Sequence, residues 1–245
     1  MNRIETDYLV IGSGAAGLVF ADTLLDETDA HVTLVDRHGK PGGHWNDAYS
    51  FVTLHQPSAF YGVNSMPLGS RRKDVIGPNK GMDELASGPE IAAYYDKLMN
   101  HKLLPSGRVS YHPMCHHIGE NTFESMLSGA RTRVLVRKKL VDATYHSPAV
   151  PATHKRRFRV ADGVRVVPPN ALPMLGSQPE ATPPRRFVIV GAGKTAMDAA
   201  VWLLTSGGVP PSAISWVMPR DSWLVNRVST QPSPEFFEQS IGGQA

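Results

Sequence analysis

The sequence predicts an α/β fold with two doubly wound (Rossmann-like) units and a small β-meander inserted in the first of them. An apolar run, a glycine-rich turn and an apolar helix follow one another near residue 12, and the same order returns near residue 191. The residues between them, 108–167, are rich in β-branched side chains and turn signals, which favours short antiparallel strands.

The composition limits the kind of protein that this chain can be. With 245 residues, 41% of them hydrophobic and 19% charged, the chain is long enough for one large or two modest globular domains. A formal net charge of +3 indicates no nucleic-acid partner, and no apolar run approaches the roughly 20 residues of a membrane helix. The single cysteine, Cys115, fits a reducing compartment. Because the polar N-terminus leads directly into a strand rather than a signal peptide, we expect a cytoplasmic protein.

The first unit begins with the apolar run Tyr8 to Ile11, which is typical of a buried parallel strand. A helix follows, and a second strand over 31–35 ends on Asp36. The order of strand, turn, helix, strand and acid predicts a dinucleotide-binding unit, whereas a glycine turn alone would be a weak signal. The turn, called here the first glycine turn, is Gly12, Ser13, Gly14, Ala15, Ala16 and Gly17. The apolar stripe expected on its helix is Ala16, Val19, Phe20, Thr23 and Leu24.

Each part of this pattern has a physical reason. Gly12 permits the tight turn, Gly14 lets the backbone approach a pyrophosphate, and Gly17 allows the helix to pack closely on the strand. The helix N-terminus offers free N–H donors and a partial positive charge to the phosphates. Asp36 is placed to accept hydrogen bonds from the ribose hydroxyls of the adenosine.

The segment after the acid distinguishes among dinucleotides. It continues through Arg37 into Gly42, Gly43, His44 and Trp45, and with the first glycine turn before it the chain resembles the two-dinucleotide-binding flavoproteins. The resemblance is closest to the flavin-containing monooxygenases, in which a Gly-Gly-x-Trp follows the ribose acid. It implies that the first unit binds FAD, with contacts from Arg37, Gly43, His44 and Trp45. It also implies that His55 and Gln56 lie beside the flavin ring, and an ordinary loop histidine is the alternative for His55.

The second unit repeats the pattern. A strand over 186–190 leads into the second glycine turn, and a further strand is expected over 214–218. Two copies in one chain indicate two bound dinucleotides. The second glycine turn is Gly191, Ala192, Gly193, Lys194, Thr195 and Ala196. The stripe expected on its helix is Met197, Ala200, Val201 and Leu204.

The residues that end the second unit's next strand predict its cofactor. They are Pro219, Arg220 and Asp221, and an arginine there can pair with the 2′-phosphate of NADPH. We therefore expect NADPH, with Arg220 on the 2′-phosphate and Lys194 or Thr195 near the pyrophosphate. If Asp221 turns inward NADH becomes the better choice, and a surface role for Arg220 is the alternative.

The intervening sequence sets the expected domain bounds. A capping box at 87–90 predicts a helix through residue 98, and strands are expected at 133–136, 158–160 and 164–167. We predict an FAD-binding domain over 1–167, a proline-rich linker over 168–184, and a partial NAD(P)H-binding domain over 185–245. No metal site is expected, because the cluster His112, Cys115, His116 and His117 lacks ligand spacing.

The resemblance implies an NADPH-dependent flavoprotein oxidoreductase, and in particular a monooxygenase that acts on a small organic substrate. A Phe-x-Gly-x-x-x-His string that the family carries before its second turn is absent around 168–173. A FAD-dependent oxidase or dehydrogenase and a cofactor-binding fragment without turnover therefore stay open. A disulfide reductase would need two redox cysteines near the flavin, and Cys115 is the single cysteine of this sequence, which argues against that function. We name no catalytic residue, we expect no membrane partner, and a homo-oligomer is possible. Because members of the family continue beyond the second unit, we expect the isolated chain to be inactive.

Overall fold

The computed structural model describes residues 2–144, 151–153, 155–156, 158–175, 184–233 and 235. Contacts within the chain divide it into two compact units. The first comprises the described residues of Met1–Asn46, Leu54–Pro148 and Gln231–Ala245, and the second comprises those of Asp47–Thr53 and Ala149–Thr230. Segment Asp47–Thr53 and the described residues of 151–175 thus group with the second unit, whereas the sequence favoured a boundary at 167.

The first unit contains eight strands and two α-helices among its described residues. In chain order they are β1 (Asn2–Ile11), α1 (Ala15–Glu27), β2 (Val32–Val35), β3 (Gly62–Val63), β4 (Met66–Pro67), α2 (Gly88–Leu98), β5 (Val109–His112), β6 (Cys115–His117), β7 (Thr122–Ser125) and β8 (Arg131–Asp142). Strands β3 and β4 form a separate antiparallel pair.

The main sheet has the order β5-β2-β1-β8-β7-β6, which confirms the predicted α/β fold. Strands β5, β2, β1 and β8 run parallel, so their carboxyl ends share one edge. Strands β8, β7 and β6 are antiparallel and form a meander within the expected range, but of the strands predicted for it only the one at 133–136 takes part. The meander ends at Asp142, and the strands expected at 158–160 and 164–167 are wrong, because these residues are largely exposed and pair with no described strand.

Helix α1 buries a different face from the one that the apolar stripe predicted. Its buried residues include Leu18, Ala21 and Leu25, while Val19 and Phe20 are half-buried. The stripe was shifted because the small and polar residues Gly17 and Asp22 are also buried, and they carry no hydrophobic signal. Helix α2 begins with the predicted capping box, in which the Ser87 N–H donates to Glu90 Oε2 at 2.7 Å.

The second unit is built on β9 (Phe187–Val190), α3 (Lys194–Leu204) and β10 (Ile214–Val217). The two strands are parallel, so this is one strand–helix–strand unit. A 3₁₀-helix over Pro169–Met174 buries Leu172 against Ala199 and Leu203 of α3. The described part of the predicted linker therefore packs on α3 through Leu172, and its remainder, 176–183, lies outside the described residues. Among the helices that the structure describes, none is long and apolar enough to cross a membrane.

Candidate functional sites

The first glycine turn joins β1 to α1 in a conformation that depends on its glycines. Gly12 has a φ of +101°, which a residue with a side chain adopts only with strain. A Cβ on Gly17 would lie 2.0 Å from the Gly12 carbonyl oxygen, so α1 approaches the turn too closely for any side chain. Helix α1 starts from Gly14 without a side-chain cap, which leaves its first N–H groups available to an anion.

The Gly42-Gly43 pair lies directly against this turn. The Gly42 N–H donates to the Ser13 carbonyl at 2.8 Å. A Cβ on Gly43 would lie 2.9 Å from the Gly14 Cα, and a Cβ on Gly14 would lie 3.5 Å from the Gly43 Cα. Two backbone segments without side chains therefore meet at the edge where the parallel strands end, and we call this arrangement the glycine cradle.

Asp36 lies at the end of β2 beside the cradle, with only 5% of its surface exposed. One carboxylate oxygen accepts from the Ser13 N–H at 2.5 Å and from the Ser13 hydroxyl at 2.8 Å. The other accepts from the His38 N–H at 2.7 Å and lies 2.9 Å from His38 Nδ1. The Tyr111 hydroxyl is 3.4 Å from the Ser13 hydroxyl, and burial raises the pKa of Tyr111 to about 12. Asp36 is thus fixed in position as an acceptor.

The remaining residues that the sequence assigned to the flavin differ in how deeply they are buried. Trp45 packs against the core, and its Nε1 donates to the Tyr61 hydroxyl at 2.7 Å. The His44 ring lies 5.2 Å from the Trp45 ring but is exposed. Gln56 is half-buried, whereas Arg37 and His55 are exposed.

Sequence reasoning missed a third wall of the cradle, the segment after β8. The Ala143 N–H donates to the Ile11 carbonyl at 2.8 Å, and the Thr144 methyl group lies 3.0 Å from where a Cβ on Gly12 would be. Asp142 accepts from the Thr144 hydroxyl at 2.6 Å and from its N–H at 2.9 Å, which lowers the pKa of Asp142. The sequence pattern that could have indicated this segment is the Asp-x-Thr turn, Asp142 to Thr144, at the end of a strand.

The second glycine turn joins β9 to α3 and has more open surroundings. Gly191 has a φ of +128°, and its carbonyl accepts from Trp216 Nε1 at 2.6 Å. A Cβ on Gly193 would meet no described atom within 4 Å. The Ser222 hydroxyl donates to the Ala192 carbonyl at 2.6 Å, so the segment after β10 passes along this turn. Exposed Arg220 belongs to that segment.

Lys194 and Thr195 begin α3 in contact with other residues of the second unit. The Lys194 ammonium pairs with Asp198 and donates to the Thr53 carbonyl at 2.6 Å. The Tyr49 hydroxyl donates to Asp198 at 2.6 Å and also hydrogen-bonds the Thr195 side chain. Burial, followed by the nearby Asp198 carboxylate, raises the pKa of Tyr49.

Comparison with known families and relatives agrees with the geometry of the first turn. Residues 10–70 match the family of NAD(P)-binding Rossmann-like domains. The chain is 50% identical over 236 residues to an uncharacterized protein of Mycobacterium tuberculosis and to another of Mycobacterium bovis. Each alignment covers 96% of this chain and 42% of the relative, so the chain spans less than half the length of these relatives.

Solved structures share the fold at low sequence identity. A double mutant of the flavin monooxygenase from Stenotrophomonas maltophilia matches with a TM-score of 0.58 and 17% identity over 98% of this chain and 68% of its own. The bacillithiol disulfide reductase of Staphylococcus aureus matches with a TM-score of 0.56 and 12% identity, over 98% and 62% of the two chains. The S-allyl-L-cysteine S-oxygenase of Allium sativum gives 0.52 and 16%, over 94% and 54%. The chain therefore has a Rossmann-like nucleotide-binding fold of the kind found in flavin-dependent oxidoreductases.

Proposed function

We propose that this chain is the cofactor-binding part of an NADPH-dependent flavoprotein oxidoreductase, with FAD bound at the first glycine turn. The observation that supports FAD there is the glycine cradle. A Cβ on either Gly14 or Gly43 would fill the space between the two segments. A dinucleotide pyrophosphate needs such an approach of bare backbone beside a helix N-terminus, so the residues fit the group.

The first unit's own residues then have defined tasks. The N–H groups at the start of α1 bind the pyrophosphate, and Asp36 accepts from the ribose hydroxyls while it keeps the hydrogen bonds that the backbone N–H groups of Ser13 and His38 donate to it. Trp45 and Tyr61 hold the segment after the cradle in place through their mutual hydrogen bond. His55 and Gln56 are the proposed contacts to the flavin ring. When bound, FAD supplies hydride and electron transfer chemistry that no side chain of the chain provides.

For the second site we propose NADPH, held at the second glycine turn. Support comes from the segment after β10, because the Ser222 hydroxyl fixes it against Ala192 and Arg220 lies two residues earlier. A guanidinium at that place can pair bidentately with a 2′-phosphate. Thr195 and Lys194 stand at the N-terminus of α3, where phosphates are stabilised by free N–H groups.

The reaction of the longer protein is part of the proposal. We propose that the longer protein oxygenates a small organic substrate. The alternative reaction is that of an oxidase or a dehydrogenase. We also propose that the enzyme is cytoplasmic and can form homo-oligomers. The buried Cys115 speaks against disulfide exchange as its chemistry, because that exchange needs an accessible thiolate and a second cysteine, and burial raises the pKa of this thiol.

The test of FAD binding uses Asp36→Ala, with Asp29→Ala as an exposed control on the same unit. Loss of the ribose acceptor should weaken the binding of FAD by about 1–3 kcal/mol, which raises its Kd roughly 5- to 150-fold, because charge-assisted hydrogen bonds are left unmade. Flavin fluorescence during titration measures the affinity, and Asp36→Asn separates loss of charge from loss of shape. An Asp36→Ala chain that binds FAD as tightly as Asp29→Ala would contradict the assignment. In the longer protein, NADPH oxidation with hydrogen peroxide and oxygenated product measured separates an oxidase from an oxygenase.

A further inference from the structure

Lys194 occupies an unusual position for a basic side chain. It is the first residue of α3, where the partial positive charge of the helix disfavours a cation. Its ammonium turns back along the helix and pairs with Asp198, four residues later. The same ammonium donates to the Thr53 carbonyl at 2.6 Å. The cation that the sequence placed near a pyrophosphate therefore already has two partners in the protein.

One of those partners belongs to a segment that we call the strap, residues 47–53. Tyr49 of the strap is 8% exposed and donates to Asp198 at 2.6 Å. Phe51 stacks on Trp202 of α3, with 5.3 Å between ring centroids. The strap is thus held on α3 by a buried phenol and an aromatic stack as well as by Lys194.

Asp198 links the two sets of contacts. Its carboxylate accepts from the Tyr49 hydroxyl and pairs with Lys194, so one acid positions both the strap and the ammonium. The Lys194 and Asp198 side chains are 30% and 22% exposed, so the pair is accessible to a charged ligand at the helix start. A lysine side chain is flexible enough to exchange one anionic partner for another within its reach.

We propose that Lys194 has two alternative partners, the strap and the phosphates of a nicotinamide dinucleotide, and that Asp198 is the positioning residue that sets the balance between them. The inference rests on the proposed function, because it needs a dinucleotide at the second glycine turn. A pyrophosphate at the start of α3 draws the ammonium away from Thr53, so the strap loses its contact at Thr53 while Tyr49 and Phe51 keep theirs.

Linkage makes this exchange measurable from both directions. Binding of NADPH should loosen the strap, and weakening the ion pair between Asp198 and Lys194 should raise the affinity for NADPH. We expect Asp198→Asn to lower the Kd for NADPH about 5-fold. Lys194→Met should weaken NADPH, and Lys194→Arg should restore most of the affinity because it keeps the charge.

Hydrogen–deuterium exchange of the peptide 47–54, with and without NADPH, is the direct test. In the unmodified chain NADPH should speed exchange in this peptide; in Lys194→Met exchange should be fast in both conditions. Lys155→Met, which removes an exposed cation of the same unit, should leave exchange and affinity unchanged. If NADPH binds and exchange in 47–54 stays constant or slows, the shared-lysine inference is overturned while the proposed function stands. If no NADPH binds, both are overturned.

Discussion

The two glycine turns of this chain share a sequence pattern but differ in how closely their surroundings enclose them. At the first turn a Cβ on Gly17 would lie 2.0 Å from a carbonyl oxygen, and Gly14 touches a second glycine segment. At the second turn the position equivalent to Gly17 is Ala196, whose Cβ is accommodated, and Gly193 has no described atom within 4 Å of an added Cβ. The same motif is therefore a tightly packed cradle in one unit and an open turn in the other.

The strands that lead into the two turns show the same contrast. Val10 of β1 is fully buried, whereas Val188 and Val190 of β9 are 64% and 72% exposed. The apolar stripe of α3, which includes Val201 and Leu204, lines an open groove of about 490 Å³ instead of entering the core. A glycine pattern therefore predicts the turn, while the packing around the turn decides which substitutions it tolerates.

The largest expected effect comes from Gly17→Ala. The added methyl group must displace α1 from the Gly12 carbonyl, and we expect a loss of about 3 kcal/mol or more in the free energy of unfolding. FAD affinity should fall by roughly 100-fold, because the helix N-terminus moves away from the cradle. Denaturant titration and flavin fluorescence measure the two effects.

Gly193→Ala, at the position equivalent to Gly14, is the control for an added methyl group in the second turn. Its φ of −83° suits alanine and the new Cβ meets no described atom within 4 Å, so stability should change little. Equal destabilisation by Gly17→Ala and Gly193→Ala would break the contrast between the enclosed and the open turn.

Sequence reasoning succeeded where local order carries the information. The elements around the first glycine turn follow from an apolar strand, glycines at fixed spacing and an acid, and the structure has β1, α1 and β2 in these places. The Gly42-Gly43 segment was assigned to the cofactor by resemblance, and the structure brings it against Gly14. Whether Asp36 and Arg220 bind their assigned ligands stays a prediction.

Sequence reasoning failed where the structure depends on contacts between residues that are far apart in the sequence. Residues 158–167 have strand-like composition, but a strand forms only with a neighbour, and composition does not reveal the neighbour. The attachment of Asp47–Thr53 to α3 depends on Tyr49 meeting Asp198, which are 149 residues apart. The contact of Thr144 with Gly12 is equally non-local, and only the Asp142 turn was visible in the sequence.

An intermediate effect is expected for Arg220→Ala, which tests whether the open second turn selects NADPH over NADH. If the open second turn binds NADPH through this exposed guanidinium, NADPH should weaken about 10-fold or more while NADH changes little, since only NADPH carries the 2′-phosphate. Fluorescence titration with both cofactors measures the difference. Equal weakening of the two, or of neither, would remove Arg220 from the site, and Arg185→Ala serves as a control for loss of an exposed arginine.

Apart from the Gly193→Ala control, the smallest expected effect is that of Ala196→Gly, the reverse of the change at Gly17. Ala196 lies in the first turn of α3 and is 9% exposed, so the substitution removes one buried methyl group and adds backbone entropy to the unfolded chain. These terms sum to about 1 kcal/mol, because near the helix start the entropy cost is below that of a mid-helix position. Denaturant titration in a Trp45→Phe background reports the second unit alone, since Trp202, Trp216 and Trp223 all belong to it. A loss near 3 kcal/mol would mean that the second turn is packed as tightly as the first. A loss near 1 kcal/mol would instead locate the difference between the two turns in the space around their last position, which only glycine can occupy at the first turn (Gly17) and which alanine fills at the second (Ala196).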